Sequence, residues 1–186
     1  MESRTSRNGR MKQVVFVGIL AIAAVLVVAV FVSKHKGNSD KVITKGDRAP
    51  EFGLPNLNGQ IINLSDFRGK FVMVHFWATW CPPCVDEIPT LAYLNQQLAG
   101  RDFAMLAVSV DEGGGPAVGS FLQQKALNLP VLLDPDRATA ERYGTRKFPE
   151  TYLLDREGIV RYKVIGPADW RDPDAIKILK DLISSR

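Results

Sequence analysis

The chain has 186 residues, 46% hydrophobic and 24% charged, an ordinary balance for one folded domain with an appendage. Its net charge of +4 sits mostly at the start: residues 1–33 carry Arg4, Arg7, Arg10 and Lys12 against Glu2, and the remainder sets 20 basic against 19 acidic residues. That near-neutral remainder lacks the basic stripe nucleic-acid binding requires, and two cysteines are too few for a structural disulfide framework.

Val14–Val32 is nineteen residues without a charge. As a helix it would span roughly 28 Å, the thickness of a bilayer's hydrocarbon core. It has no polar face, exceeds the apolar run of a signal peptide, and is not followed by an A-x-A site, so it reads as an uncleaved anchor. Basic residues lead it more heavily than they trail it, where Lys34 and Lys36 stand, which favours an inside N-terminus. The expected layout is a cytoplasmic basic segment over 1–13, a transmembrane anchor over 14–33, a polar linker over 34–46 and a domain over 47–186. That domain would lie on the extracytoplasmic, periplasmic side of the cytoplasmic membrane, where cysteines are not held reduced by the cytosolic thiol pool.

Within the domain, Asn58-Gly59 between apolar runs is a hairpin signal. Phe71–Phe76 is a continuous apolar run and predicts a strand buried on both faces. Val85–Leu98 has helical spacing with Gly100 as its stop, and Pro89 is expected to kink it. Phe103–Val110 predicts a second strand, 116–125 a short helix, 130–133 a third strand and 138–143 a helical turn or two. Thr151–Leu154 and Ile159–Ile165 predict two strands joined by the turn 155–158. The last helix opens at Asp172-Pro173-Asp174, an N-cap, a proline at the first helical position and an acid beside the dipole. Strands alternating with helices, then a hairpin and a helix, give an α/β domain with a central mixed sheet flanked by helices.

Both cysteines lie in Trp80-Cys81-Pro82-Pro83-Cys84, just beyond the carboxyl end of the first long strand, where such sheets place their working loops. At a helix start, Cys81 would meet unpaired backbone N–H groups and the positive end of the dipole, which favours the nucleophilic thiolate. Cys84, one turn on, is placed to resolve a mixed disulfide. The prolines stiffen the turn. A structural zinc needs four ligands, whereas this chain offers two cysteines and two histidines, one of them in the linker. No metal and no cofactor are expected.

The segment Phe76-Trp77-Ala78-Thr79-Trp80-Cys81-Pro82-Pro83-Cys84 resembles the thioredoxin superfamily active site. Ala49-Pro50-Glu51-Phe52 through Leu64, then Phe67-Arg68-Gly69-Lys70, resembles the N-terminal hairpin of the membrane-anchored TlpA/ResA-like branch, and Tyr143-Gly144 with Phe148-Pro149-Glu150-Thr151-Tyr152-Leu153-Leu154-Asp155 is similar to that branch and to the cytochrome c maturation thioredoxins. The resemblance covers about residues 47–184. It implies a thioredoxin-like fold with an N-terminal β-hairpin and a helix–strand insertion at about 111–133. It also implies a cis peptide bond at Phe148-Pro149, opposite the cysteines, in a loop that pairs with substrate. Phe148 and Trp80 would then form substrate surface.

Two further residues have open readings. The family's cytochrome-maturation members carry an acid near the cysteines, and Glu150 is the candidate proton relay; it also reads as a solvated strand-end glutamate. His75 stands where ordinary thioredoxins place a buried aspartate, and is either a proton relay or a core histidine held by a carbonyl. Asp86 and Glu87 read as helix-dipole partners.

The function this implies is thiol–disulfide oxidoreductase, reducing disulfides in exported proteins such as apocytochromes c, with a membrane thiol carrier as electron donor. A thiol peroxidase of peroxiredoxin type and a copper-binding assembly protein are the alternatives on this scaffold. Tryptophan before the first cysteine and the two-residue spacing count against each.

Overall fold

The computed structural model describes residues 42–184. The expected basic segment, anchor and most of the linker lie outside those residues; among the described residues no helix is long and apolar enough to cross a membrane. The domain begins earlier than residue 47. Ile43, assigned to the linker by its polar neighbours, is buried, and its N–H donates to the carbonyl of Tyr143 at 3.1 Å.

A two-stranded antiparallel ribbon opens the fold, β1 (Gly53–Pro55) with β2 (Ile61–Asn63). Gly59 takes φ +79° in the connecting turn, the left-handed region glycine favours, and Asn56 accepts two backbone N–H bonds that close it. A single 3-10 turn, Leu64–Phe67, follows.

The main sheet has the order β5-β4-β3-β6-β7. Its centre is β3 (Phe71–Trp77), buried on both faces as its apolar run predicts. β4 (Phe103–Ser109) and β5 (Val131–Leu133) extend it in parallel. β6 (Glu150–Leu154) and β7 (Val160–Ile165) complete it antiparallel on the other side. The helices are α1 (Pro82–Gln97), α2 (Gly114–Lys125), α3 (Ala138–Tyr143) and α4 (Pro173–Ser184). α2 and β5 form the expected insertion.

The core joins β3, β4 and β6 to the apolar faces of α1 and α4. Phe76, Tyr143 and Tyr152 pack edge to face with centroids 5.0–6.0 Å apart, the arrangement aromatic quadrupoles prefer. Asp172 caps α4 as the sequence predicts, accepting from the N–H groups of Asp174 and Ala175.

α1 differs from expectation at its start. Pro82 and Pro83 occupy its first two positions, so the helix begins inside the cysteine motif and not at Val85. Proline is tolerated there because those N–H groups have no intrahelical partner anyway. The helix also runs on through Pro89 without a break.

Candidate active site

Cys81 is the N-cap residue of α1, and Cys84 is the third residue within it. The two are joined as a disulfide with their Cα atoms 5.3 Å apart. Prolines at the first two helical positions leave the Cys84 N–H as the donor of the opening turn not spent inside the helix, since Val85 N–H already binds the Cys81 carbonyl. Cys84 is fully buried and Cys81 5% exposed, so an incoming sulfur meets Cys81 first.

The loop before α1 is held from β4. Buried Asp111 accepts from the Thr79 N–H and hydroxyl and from the Ser109 hydroxyl at 2.7 Å. Sequence reasoning missed Asp111; the available signal was an acid directly past the carboxyl end of an apolar strand.

Opposite the cysteines, Phe148-Pro149 is cis, as the resemblance implies. The Cys81 sulfur lies 3.6 Å from the Phe148 carbonyl oxygen. Trp80 is 53% exposed and meets Phe148 edge to face at 6.0 Å. Trp80, Phe148 and Pro149 are thereby brought together around Cys81, an exposed aromatic floor beside the attacking sulfur.

Glu150 is buried rather than solvated. Its carboxylate pairs with Lys163 of β7 at 2.8 Å, with side chains 4% and 12% exposed respectively. Lys163 also donates to the Ile43 carbonyl at 3.2 Å. Burial pulls the Lys163 ammonium down, but its bonds to Glu150 and Tyr152 outweigh that and hold it above its ordinary value. Glu150 is thus engaged with a cation on the neighbouring strand.

His75 is completely buried. Nδ1 is 2.8 Å from the Thr151 hydroxyl, its register partner on β6, while Nε2 has no partner among the described residues. Its anchor is therefore a side-chain hydroxyl and not the backbone carbonyl expected. Burial pushes its pKa down to about 3, so it stays neutral across the working range and cannot store a proton there.

Glu87 is the group the sequence reading placed wrongly. It lies three residues beyond Cys84, on the same buried face of α1, and is 3% exposed. Its Oε1 accepts from the Trp170 indole N–H and from the Ala168 N–H at 3.3 Å, while Oε2 has no partner among the described residues. Burial raises its pKa to about 7 against those two bonds. A cleft of about 310 Å³ opens beside it, between the start of α1 and the loop 167–171, lined by Pro83, Glu87 and Ala168. Of the acids near the motif, Glu87 has the property a proton relay needs at neutral pH. Its spacing from Cys84 was the readable signal, and its burial by Trp170, 83 residues away, was not.

The sequence matches the AhpC/TSA family over residues 45–163. It is 36% identical over 153 residues to the thiol-disulfide oxidoreductase ResA of Bacillus subtilis, covering 82% of each chain. It is 35% identical over 126 residues to the thioredoxin-like protein YneN of the same organism, covering 67% of this chain and 73% of that one. A DsbE-type thiol:disulfide interchange protein from Chlorobium tepidum superposes with a TM-score of 0.65 at 32% identity, over 76% of this chain and 96% of that one. Sequence, fold and the joined cysteines agree, and the chain belongs to the AhpC/TSA family, among its ResA-like thiol–disulfide oxidoreductases.

Proposed function

We propose that this oxidoreductase works as a reductant of disulfides in exported proteins, apocytochromes c among them, from a membrane-anchored position outside the cytoplasm. The observation that supports this reading is the placement of Cys81 at the tip of α1, against the Phe148 carbonyl and beside exposed Trp80, with Cys84 buried behind it.

In the reduced protein the Cys81 thiolate attacks one sulfur of a client disulfide. The client S–S bond breaks, a mixed disulfide forms, and the departing client sulfur takes a proton. Cys84 loses its proton to Glu87 and attacks the Cys81 sulfur, which releases the second client thiolate and leaves the Cys81–Cys84 disulfide. Two electrons pass to the client, and a membrane thiol carrier returns them by the same exchange in reverse.

Direction rests on the pair between the cysteines. Potentials in this superfamily run from about −270 mV for reductants to about −120 mV for strong oxidants, and Pro82-Pro83 brings no histidine to stabilise a reduced thiolate. Equilibrating the full chain with glutathione should give a potential more negative than about −200 mV. A value near −120 mV would reverse the assignment.

The anchor has its own test. A periplasm-active reporter fused after Arg186 should be active, and the mature protein should retain residues 1–33. A soluble form trimmed near Ser33 would refute the anchored arrangement.

A further inference from the structure

Arg137 is one of two non-glycine described residues with a left-handed backbone, at φ +60°. Its turn is fixed from beneath. The Arg137 N–H donates to the Asp134 carbonyl at 3.0 Å, and the buried Asp134 carboxylate accepts from Thr139 and Ala140 at the start of α3. A turn of that shape favours glycine or asparagine, so the backbone does not account for arginine. The side chain does. Its guanidinium lies over the Trp80 ring, 5.4 Å from the centroid, and Glu112 holds it at 3.3 Å. The cation is thus fixed on the exposed indole that neighbours Cys81, with part of its fork still facing solvent: the Arg137 side chain is 40% exposed.

Two more cations adjoin the same floor. Arg146 and Lys147 are exposed and immediately precede Phe148. The acids on this side are Glu112, already engaged with Arg137, and Asp136, whose Oδ1 accepts the Ala138 N–H. Across the motif Asp86 is exposed on α1, and Asp169 is paired with Arg171 at 2.9 Å. The rim is therefore basic where Trp80 and Phe148 lie.

We propose that Arg137, supported by Arg146 and Lys147, reads negative charge in the client: the segment crossing Trp80 and Phe148 carries Asp or Glu beside its reacting cysteine. This rests on the reading of the protein as a reductant of protein disulfides. Arg137 is a specificity-determining residue, offering guanidinium N–H groups to a carboxylate while Trp80 carries the client backbone.

Three peptides with one internal disulfide each, identical except for Glu, Gln or Lys flanking the cysteine, test this with the reduced full-length protein in neutral detergent. At low ionic strength kcat/KM should fall in the order Glu, Gln, Lys, with about a tenfold spread that shrinks as salt rises. Arg137→Gln should cut the Glu-to-Lys ratio about threefold, and Arg137→Glu should bring it close to one. The exposed double variant Arg146→Gln/Lys147→Gln should lower the ratio independently, should the Arg137 variants fold poorly. Equal rates on all three peptides, or a ratio that neither set of variants moves, would overturn the charge reading while leaving the reductase intact. No reduction of even the Gln peptide would overturn the reductase reading itself, and this proposal with it.

Discussion

Replacing Cys81 with alanine is expected to abolish disulfide reduction, whereas replacing Cys84 should trap the client. The difference follows from burial. Cys81 reaches the surface beside Trp80, and Cys84 is sealed beneath it. With Cys81 gone, no incoming sulfur can reach a thiolate, and the rate should fall to that of uncatalysed exchange. With Cys84 gone, attack by Cys81 still breaks the client disulfide, but nothing resolves the adduct, so covalent complexes should accumulate on non-reducing gels. Those complexes should disappear on adding dithiothreitol. The reverse pattern, with adducts in Cys81→Ala and full turnover in Cys84→Ala, would exchange the two roles.

The second large effect is expected at Glu87. Glu87→Gln keeps an acceptor for the Trp170 indole and the Ala168 N–H but removes the charge. The folded protein holds this carboxyl at about 7 against an ordinary 4.5, so folding favours its neutral form. Below pH 4.5 it is protonated in both states and costs nothing. From 4.5 to 7 the unfolded chain ionises first, and the fold bears a penalty that levels off above 7 at up to about 3 kcal/mol. The glutamine variant lacks that penalty, so its stability advantage should be small at pH 4 and largest at pH 8. His75 adds a separate dependence of opposite sense. Burial costs nothing above 6.5, where the imidazole is neutral in both states; a penalty builds as pH falls from 6.5 towards about 3, and comparison of the two proteins at equal pH cancels it. The kinetic counterpart is slower decay of the mixed disulfide near neutral pH, by about a hundredfold if Glu87 takes the Cys84 proton. Urea midpoints differing equally at pH 4 and pH 8 would show that Glu87 titrates normally and has no such part.

The sequence was most legible where chemistry is local. The two-sided burial of β3, the placement of Cys81 at a helix tip and the Asp172 cap each depend on neighbours within a few positions. The cis bond before Pro149 came from family likeness, since spacing carries no isomer. What stayed hidden depends on residues distant along the chain. Glu87 looked like a dipole partner because Trp170 covers it from the other end of the chain, and Glu150 stayed open between a proton relay and a solvated strand end because Lys163 reaches it from β7. The early boundary at Ile43 was masked in the same way, by a bond to Tyr143 a hundred residues on.

The segments preceding β3 have one more effect. Arg48 bridges to Ile159 at the β7 side of the sheet, and Asn56 of the hairpin bridges to Leu132 on β5. The leading stretch of the domain therefore places a stub of backbone against each outermost strand. The substrate disulfide lies in another protein chain, and a bare outermost strand would invite an extended segment of such a chain to add on as an extra strand. With both flanks partly occupied, neither outermost strand offers its whole length as a bare edge for a further strand to join.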